Sequence, residues 1–286
     1  MKRLYMIIAA VAVCASAFCQ DIPFDKNYFQ NQKDAFKQAN SDLKAGESAF
    51  SKEFYYEALQ YYLEAQKFNP NYSLLNYRIG VCYMALPMKF KSLDYFEKAY
   101  QLRRDVADDI HLMLARSYHL NGQYDKAIGE YKAHMAVLTP MEAPEMKPQL
   151  EKYIAECEYG KQLMDNPARA FIDNIGSVLN SRYNDHSPLI SADESMMIFT
   201  SNRNNGRTES PEDGQYDEDI YISYNISKNW QVPDAIGEPI NTQFDDATVG
   251  LSPDGQQLLI YNGRKGGGDI EVCSQKGVKW EYPKAM

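Results

Sequence analysis

A stretch beginning at Asn180 returns at Asn241, 61 residues later, without a gap. The first copy reads NSRYNDHSPLISADESMMIFTSNR and the second NTQFDDATVGLSPDGQQLLIYNGR. Asp185 falls on Asp246, Ser191 on Ser252, Asp193 on Asp254, Phe199 on Ile260 and Arg203 on Arg264. A fixed internal period restricts a chain to architectures in which one supersecondary unit stacks on its own copies. The match resumes with Asp219-Ile220-Tyr221 against Asp269-Ile270-Glu271, Trp230 against Trp280 and Pro233 against Pro283. These pairs lie 50 residues apart, so the first copy carries 11 extra residues.

The unit is built of strands. Met196 to Thr200 and Leu258 to Tyr261 are short apolar runs bounded by Asp-Glu or Asp-Gly turns, and Asp219 to Ser223 alternates as a half-buried strand does. Four such strands in about 50 to 60 residues suit a β-propeller blade. In the turn before the buried strand, Asp193 and Asp254 are expected to accept backbone amides. Gly255 is expected to take positive φ, which Glu194 must manage without a glycine. Trp230 and Trp280 read as large apolar plugs between blades. Two units fall short of the roughly 4 to 8 blades that close a ring, so the sequence reads as truncated.

A different repeat runs from residue 39 to 140. Gly46, Gly80 and Ala115 align at one small position; Ala58, Ser92 and Ala127 align at another. Tyr62, Phe96 and Tyr131 share an aromatic position, with steps of 34 and 35 residues. Ala65 and Ala99 take a third small site, where the last copy has His134. The pattern resembles the tetratricopeptide repeat, whose paired helices meet at small residues. Leu150, Ile154 and Cys157, continuing with drift to Lys161 or Leu163, read as a terminal capping helix. Asp165-Asn166-Pro167 then breaks the helix. A mobile lead is expected to precede the first repeat.

Composition narrows the partners. The formal charge is −9, and removal of Lys2 and Arg3 with a leader takes it to about −11, which disfavours nucleic acid. Met1 to Gln20 carries two basic residues, an apolar run and a small-residue tail, the pattern of an export signal. Ala15 and Ala17 offer a cleavage site. A lipid anchor at Cys19 is disfavoured by Phe18, since a small residue is wanted before such a cysteine. No later run has the length of a transmembrane span. Cys82, Cys157 and Cys273 are odd in number and far apart, indicating neither a disulfide framework nor a zinc site.

The order of parts carries a further resemblance. A signal and a tetratricopeptide array come first, then a helix with Cys157, Lys161 and Leu163 at C-x-x-x-K-x-L spacing. The bridge Ile175 to Pro188 and the S-x-D-G, S/N-x-R, D-I-Y, W strand units follow. This order resembles the PorE-like envelope proteins of Bacteroidetes, in which a tetratricopeptide array and a TolB-like, WD-like propeller precede an OmpA-like peptidoglycan-binding domain. The resemblance implies an α+β multidomain fold, an all-α tetratricopeptide solenoid followed by a partial all-β propeller of WD-like blades. Its divisions are a signal peptide (1–19), a lead (20–38), three repeats plus a capping helix (39–165), a linker (166–179) and two blade units of an incomplete propeller (180–286). It implies a periplasmic scaffold associated with the outer membrane, possessing links to type IX secretion, gliding and, through a missing C-terminal domain, peptidoglycan. On the family pattern a concave groove for partner proteins is lined by Asn40, Leu43 and Glu47, by Tyr77, Val81 and Met84, and by Asp109, Leu112, Arg116 and His119.

Catalytic patterns are missing from the sequence: there is no G-x-S-x-G elbow, H-E-x-x-H helix, P-loop or G-x-G-x-x-G. His111, His119, His134 and His186 do not cluster at ligand spacing. The glycines at 266–268 read as a loose turn, and the acidic insert from Glu209 to Asp219 lacks the order of a calcium loop. Neither an enzyme nor a cofactor is therefore expected. Two alternatives remain open at this point, the accessory propeller of a prolyl-oligopeptidase-like hydrolase and a glycan-binding propeller.

Overall fold

The computed structural model describes residues 20–204, 206, 209–210, 214–264, 267–277 and 279–286. The export signal with Cys19, part of the acidic insert and Gly266 lie outside these residues. The chain divides into two compact units, Met1–Pro167 and Ala168–Met286. Among the described residues no helix is long and apolar enough to cross a membrane.

The first unit contains α1 (Lys33–Phe50), α2 (Tyr55–Phe68), α3 (Ser73–Ala85), α4 (Ser92–Leu102), α5 (Ile110–Leu120), α6 (Tyr124–Val137) and α7 (Ala143–Asp165). Short connections turn α1 into α2, α3 into α4 and α5 into α6, giving three hairpins. Their common joint is a small residue under an aromatic ring. A β-carbon on Gly46 would lie 2.6 Å from the Tyr62 ring, and one on Gly80 would lie 2.7 Å from Phe96. Ala115 and Tyr131, at the same positions of the third hairpin, are both inaccessible, as are Ala58, Ser92 and Ala127. The unit is therefore tetratricopeptide-like, with three hairpins in phase and a terminal helix.

Helix α7 docks through Leu150 and Cys157, both in the core. A third contact escaped the apolar periodicity: Gly160 meets Tyr124 of α6 so closely that a β-carbon would sit 2.7 Å from the ring. Leu163 is exposed, and Lys161 makes an ion pair with Asp125.

The lead differs from its expectation because it packs in place. Ser73 donates its backbone N–H to Asp21 Oδ1 and its hydroxyl to Asp21 Oδ2, both at 2.8 Å. Asp21 thus caps α3, whose own preceding residue, Tyr72, makes no side-chain cap. Phe24 gathers Phe29, Phe36, Phe68 and Tyr72 around it, with ring centroids 5.7 to 6.4 Å away. These half-buried rings, packed on one another, hold the segment down.

The described residues of the second unit form two antiparallel sheets. One is made of β1 (Asp185–Ile190), β2 (Met196–Ser201), β3 (Asp219–Ile226), β4 (Asn229–Trp230) and β5 (Asp234–Ala235). The other is made of β6 (Asp246–Leu251), β7 (Gln257–Asn262), β8 (Asp269–Lys276), β9 (Lys279–Trp280) and β10 (Lys284–Ala285). The sequence repeat is a repeat of register. Ile198 faces Ile222 as Leu259 faces Val272, and Asp185 faces Ser201 as Asp246 faces Asn262. The 11 extra residues of the first copy fall wholly between β2 and β3, leaving both ladders aligned.

The turn chemistry follows the sequence closely. Asp193 accepts the Ser195 N–H at 3.0 Å, and Asp254 accepts the Gln256 N–H at 3.1 Å. Gly255 has φ +72°, and Glu194 adopts φ +57° despite its side chain. The sheets share one core, in which Met196, Ile198, Ile220 and Ile222 of the first meet Leu258, Ile260 and Cys273 of the second. Trp280 packs against this core, while Trp230 packs against a separate cluster of Leu179, Met197, Phe199 and Tyr221. Asn241 pins the two sheets, its Oδ1 accepting the Ile220 N–H at 2.9 Å and its Nδ2 donating to the Ile220 carbonyl at 3.0 Å.

Candidate partner-binding groove

The first helices of the three hairpins, α1, α3 and α5, carry nine of the ten groove residues expected from sequence, and Asp109 stands at the N-cap of α5. Two of the ten are not surface. Leu43 and Met84 are 7% and 8% exposed and belong to the apolar core, where they hold helices together. Val81 and Leu112 are half-buried against the core of the second and third hairpins. Asn40 is half-buried, while Glu47 and Arg116 are exposed.

Polar pairs join the first helices in succession. Glu47 of α1 makes an ion pair with Arg78 of α3. One residue before Arg78, Tyr77 donates its hydroxyl to Asp109 Oδ1 at 2.6 Å, linking α3 to the start of α5. Burial and the Asp109 carboxylate push the Tyr77 phenol well above its ordinary range, so it stays a donor. The Arg78 guanidinium also lies 5.9 Å from the centre of the Phe50 ring. Its signal in the sequence is faint, a lone basic residue 31 positions after Glu47.

At the far end, His119 stands edge-on to Tyr124 and Tyr131, with centroids 5.9 and 6.2 Å away. Its Nδ1 lies 3.4 Å from the Tyr131 hydroxyl. Nearby on α5, His111 Nδ1 is 2.6 Å from Glu130 Oε2. The first helices therefore present charges of both signs beside half-buried apolar side chains. Beneath these helices the thiols are inert, burial pushing Cys82 up to about 12 and Cys157 up to about 11. Among the described residues, no three of His, Cys, Asp or Glu are grouped to hold a metal.

No family model and no curated protein matches the chain. Among solved structures it is similar to the TPR2B domain of yeast Sti1 in complex with pHsp70, at 14% identity and a TM-score of 0.34. That match covers 43% of this chain and 98% of the other. It is also similar to the MamA protein, at 16% identity and a TM-score of 0.33, over 52% of this chain and 83% of that one. The tetratricopeptide-like assignment rests on the three hairpins and their small-residue-to-ring joints, Gly46 with Tyr62, Gly80 with Phe96 and Ala115 with Tyr131.

Proposed function

We propose that this chain is a non-catalytic adaptor of the cell envelope that recruits protein partners along the first helices of its hairpins. The carrying observation is the seam from Glu47–Arg78 through Tyr77–Asp109 to Arg116 and His119. It holds three helices in fixed succession and leaves charged groups of both signs exposed. On this reading the two sheets are WD-like blades of a β-propeller, and the protein is exported to the periplasm and works at the outer membrane. The order of parts, which resembles that of PorE-like scaffolds of secretion and gliding with a peptidoglycan-binding OmpA-like domain, supports this reading. The test is affinity capture from envelope extracts with the chain and with its Arg116→Glu, Glu47→Arg double variant. Specific proteins retained by the first and lost by the second support the groove. An identical set from both overturns it.

A further inference from the structure

The two copies of the strand unit treat one carboxylate differently. In the first, Arg203 Nη2 donates to Asp185 Oδ1 at 2.7 Å and to the Leu179 carbonyl at 2.9 Å. Ser201 donates its hydroxyl to the same Asp185 Oδ1 at 2.6 Å. A positive group thus sits in a cradle of one carboxylate oxygen and one carbonyl.

The second copy keeps the cradle and loses the guanidinium. Asp246 Oδ2 accepts the Thr242 N–H just as Asp185 Oδ2 accepts that of Ser181. The preceding turn repeats as well, Leu179 and Ile240 donating their N–H groups to the carbonyls of Gly176 and Gly237, so the Ile240 carbonyl stands where that of Leu179 does. Glu271, at the position of Tyr221, has drawn off both donors. Arg264 pairs with its Oε1, and Asn262 Nδ2 donates to its Oε2 at 3.2 Å. Asp246 is 0% exposed, and its Oδ1 is left with no hydrogen-bond partner. A bare carboxylate oxygen so deeply buried calls for a positive partner.

A second acid adjoins it. The Asp246 N–H donates to the Glu218 carbonyl at 2.8 Å, which brings the next residue, Asp219, alongside. Asp219 is 3% exposed, and its charge reaches the Asp246 carboxyl. With Asn241 and Thr242 it also lines a cavity of about 590 Å³.

We propose that a calcium ion binds where the first copy places its guanidinium nitrogen, held by Asp246 Oδ1, the Asp219 carboxylate and the Ile240 carbonyl. Water from the cavity completes its shell. All three are hard oxygen donors, and two carboxylates match a divalent charge. Calcium suits a set drawn from three separate segments, because it accepts irregular geometry with roughly 6 to 8 ligands where magnesium demands an octahedron. The ion ties the start of β3 in the first sheet to the start of β6 in the second.

The first copy also supplies the control. Calorimetric titration and thermal melting are run on the full chain at about pH 7.5, where free carboxylates are ionised, with far-UV circular dichroism confirming that each variant folds. The unmodified chain is expected to bind calcium with a Kd of about 1 mM or tighter and to melt several degrees higher than in chelator. Asp246→Asn is expected to weaken binding at least about tenfold. Glu271→Tyr restores the ring of the first copy and returns Arg264 to Asp246, so it is expected to lose the calcium response with every proposed ligand still in place. That variant separates a filled cradle from calcium held loosely on an acidic surface. An unmodified chain with no response up to about 10 mM calcium overturns the proposal. So does a response kept in full by either folded variant.

Discussion

Gly80 lies under the ring of Phe96, and a single added carbon would stand 2.7 Å from the ring edge. Helix α3 can approach α4 only because position 80 has no side chain, so Gly80→Ala is expected to destabilise the helical unit by about 2 kcal/mol. Gly129 on α6 is exposed and has no atom within 4 Å of an added carbon. There the same exchange removes only the backbone freedom of glycine and is expected to stabilise by about 1 kcal/mol. Urea unfolding followed by circular dichroism compares the two.

Glu194 and Gly255 occupy one position of the strand repeat and should respond in opposite ways. Glu194 sits at φ +57°, strained for a residue with a β-carbon, and Glu194→Gly is expected to stabilise by about 0.5 kcal/mol after glycine's entropy is counted. Gly255→Ala would bring strain at φ +72° and a contact of 2.9 Å with Met196 Cε. A loss of about 2 kcal/mol is expected, read as a shifted denaturant midpoint.

Asp246 marks a divergence between the copies. In the first, Arg203 Nη2 binds Asp185 Oδ1 at 2.7 Å and the guanidinium lies 4.8 Å from the Tyr221 ring centre. In the second, Glu271 replaces that tyrosine and draws Arg264 to itself, leaving buried Asp246 Oδ1 without a partner. Burial, reinforced by the charge of Asp219, pushes Asp246 up to about 6. The folded state then holds this proton more tightly than the unfolded chain. The stability this one group contributes is fully present below the ordinary value of 3.8 and is lost as pH rises through about 6. Asp246→Asn should flatten the curve, its difference from the natural chain changing by roughly 3 kcal/mol between about pH 4 and pH 7.

His134 works in the other direction. It fills a small-residue site of the helical repeat, is 6% exposed, and has a partner for neither ring nitrogen. Burial lowers its pKa; His111 adds to this, while Asp109 and Glu142 oppose it. The helical unit should therefore lose stability as pH falls below about 6.5, where the unfolded histidine takes its proton. His134→Leu is expected to abolish this acid sensitivity, measured as melting temperature against pH.

What the sequence disclosed is what it repeats. Gly46 with Tyr62 and Gly80 with Phe96 recur in step, so their packing was legible before any fold was known, as was the shared register of Ile198 and Leu259. Contacts made once left no such trace. Asp21 caps a helix 52 residues away, Gly160 meets Tyr124 outside the apolar pattern, and Arg78 finds Glu47 across two helices. The candidate face was assigned by a family pattern, which fixes positions along a helix but not burial; Leu43 and Met84 belong to the core instead.

The connection from β2 to β3 runs over residues 202–218, whereas that from β7 to β8 needs only residues 263–268. Pairing on either side is identical in the two copies, so the ladder is indifferent to the cargo hung between these strands. The first copy is in effect a natural graft. An epitope or dye-accepting peptide spliced into the shorter connection of the second should likewise leave the pairing of β7 with β8 unchanged, giving a handle on the protein that leaves its strands in register.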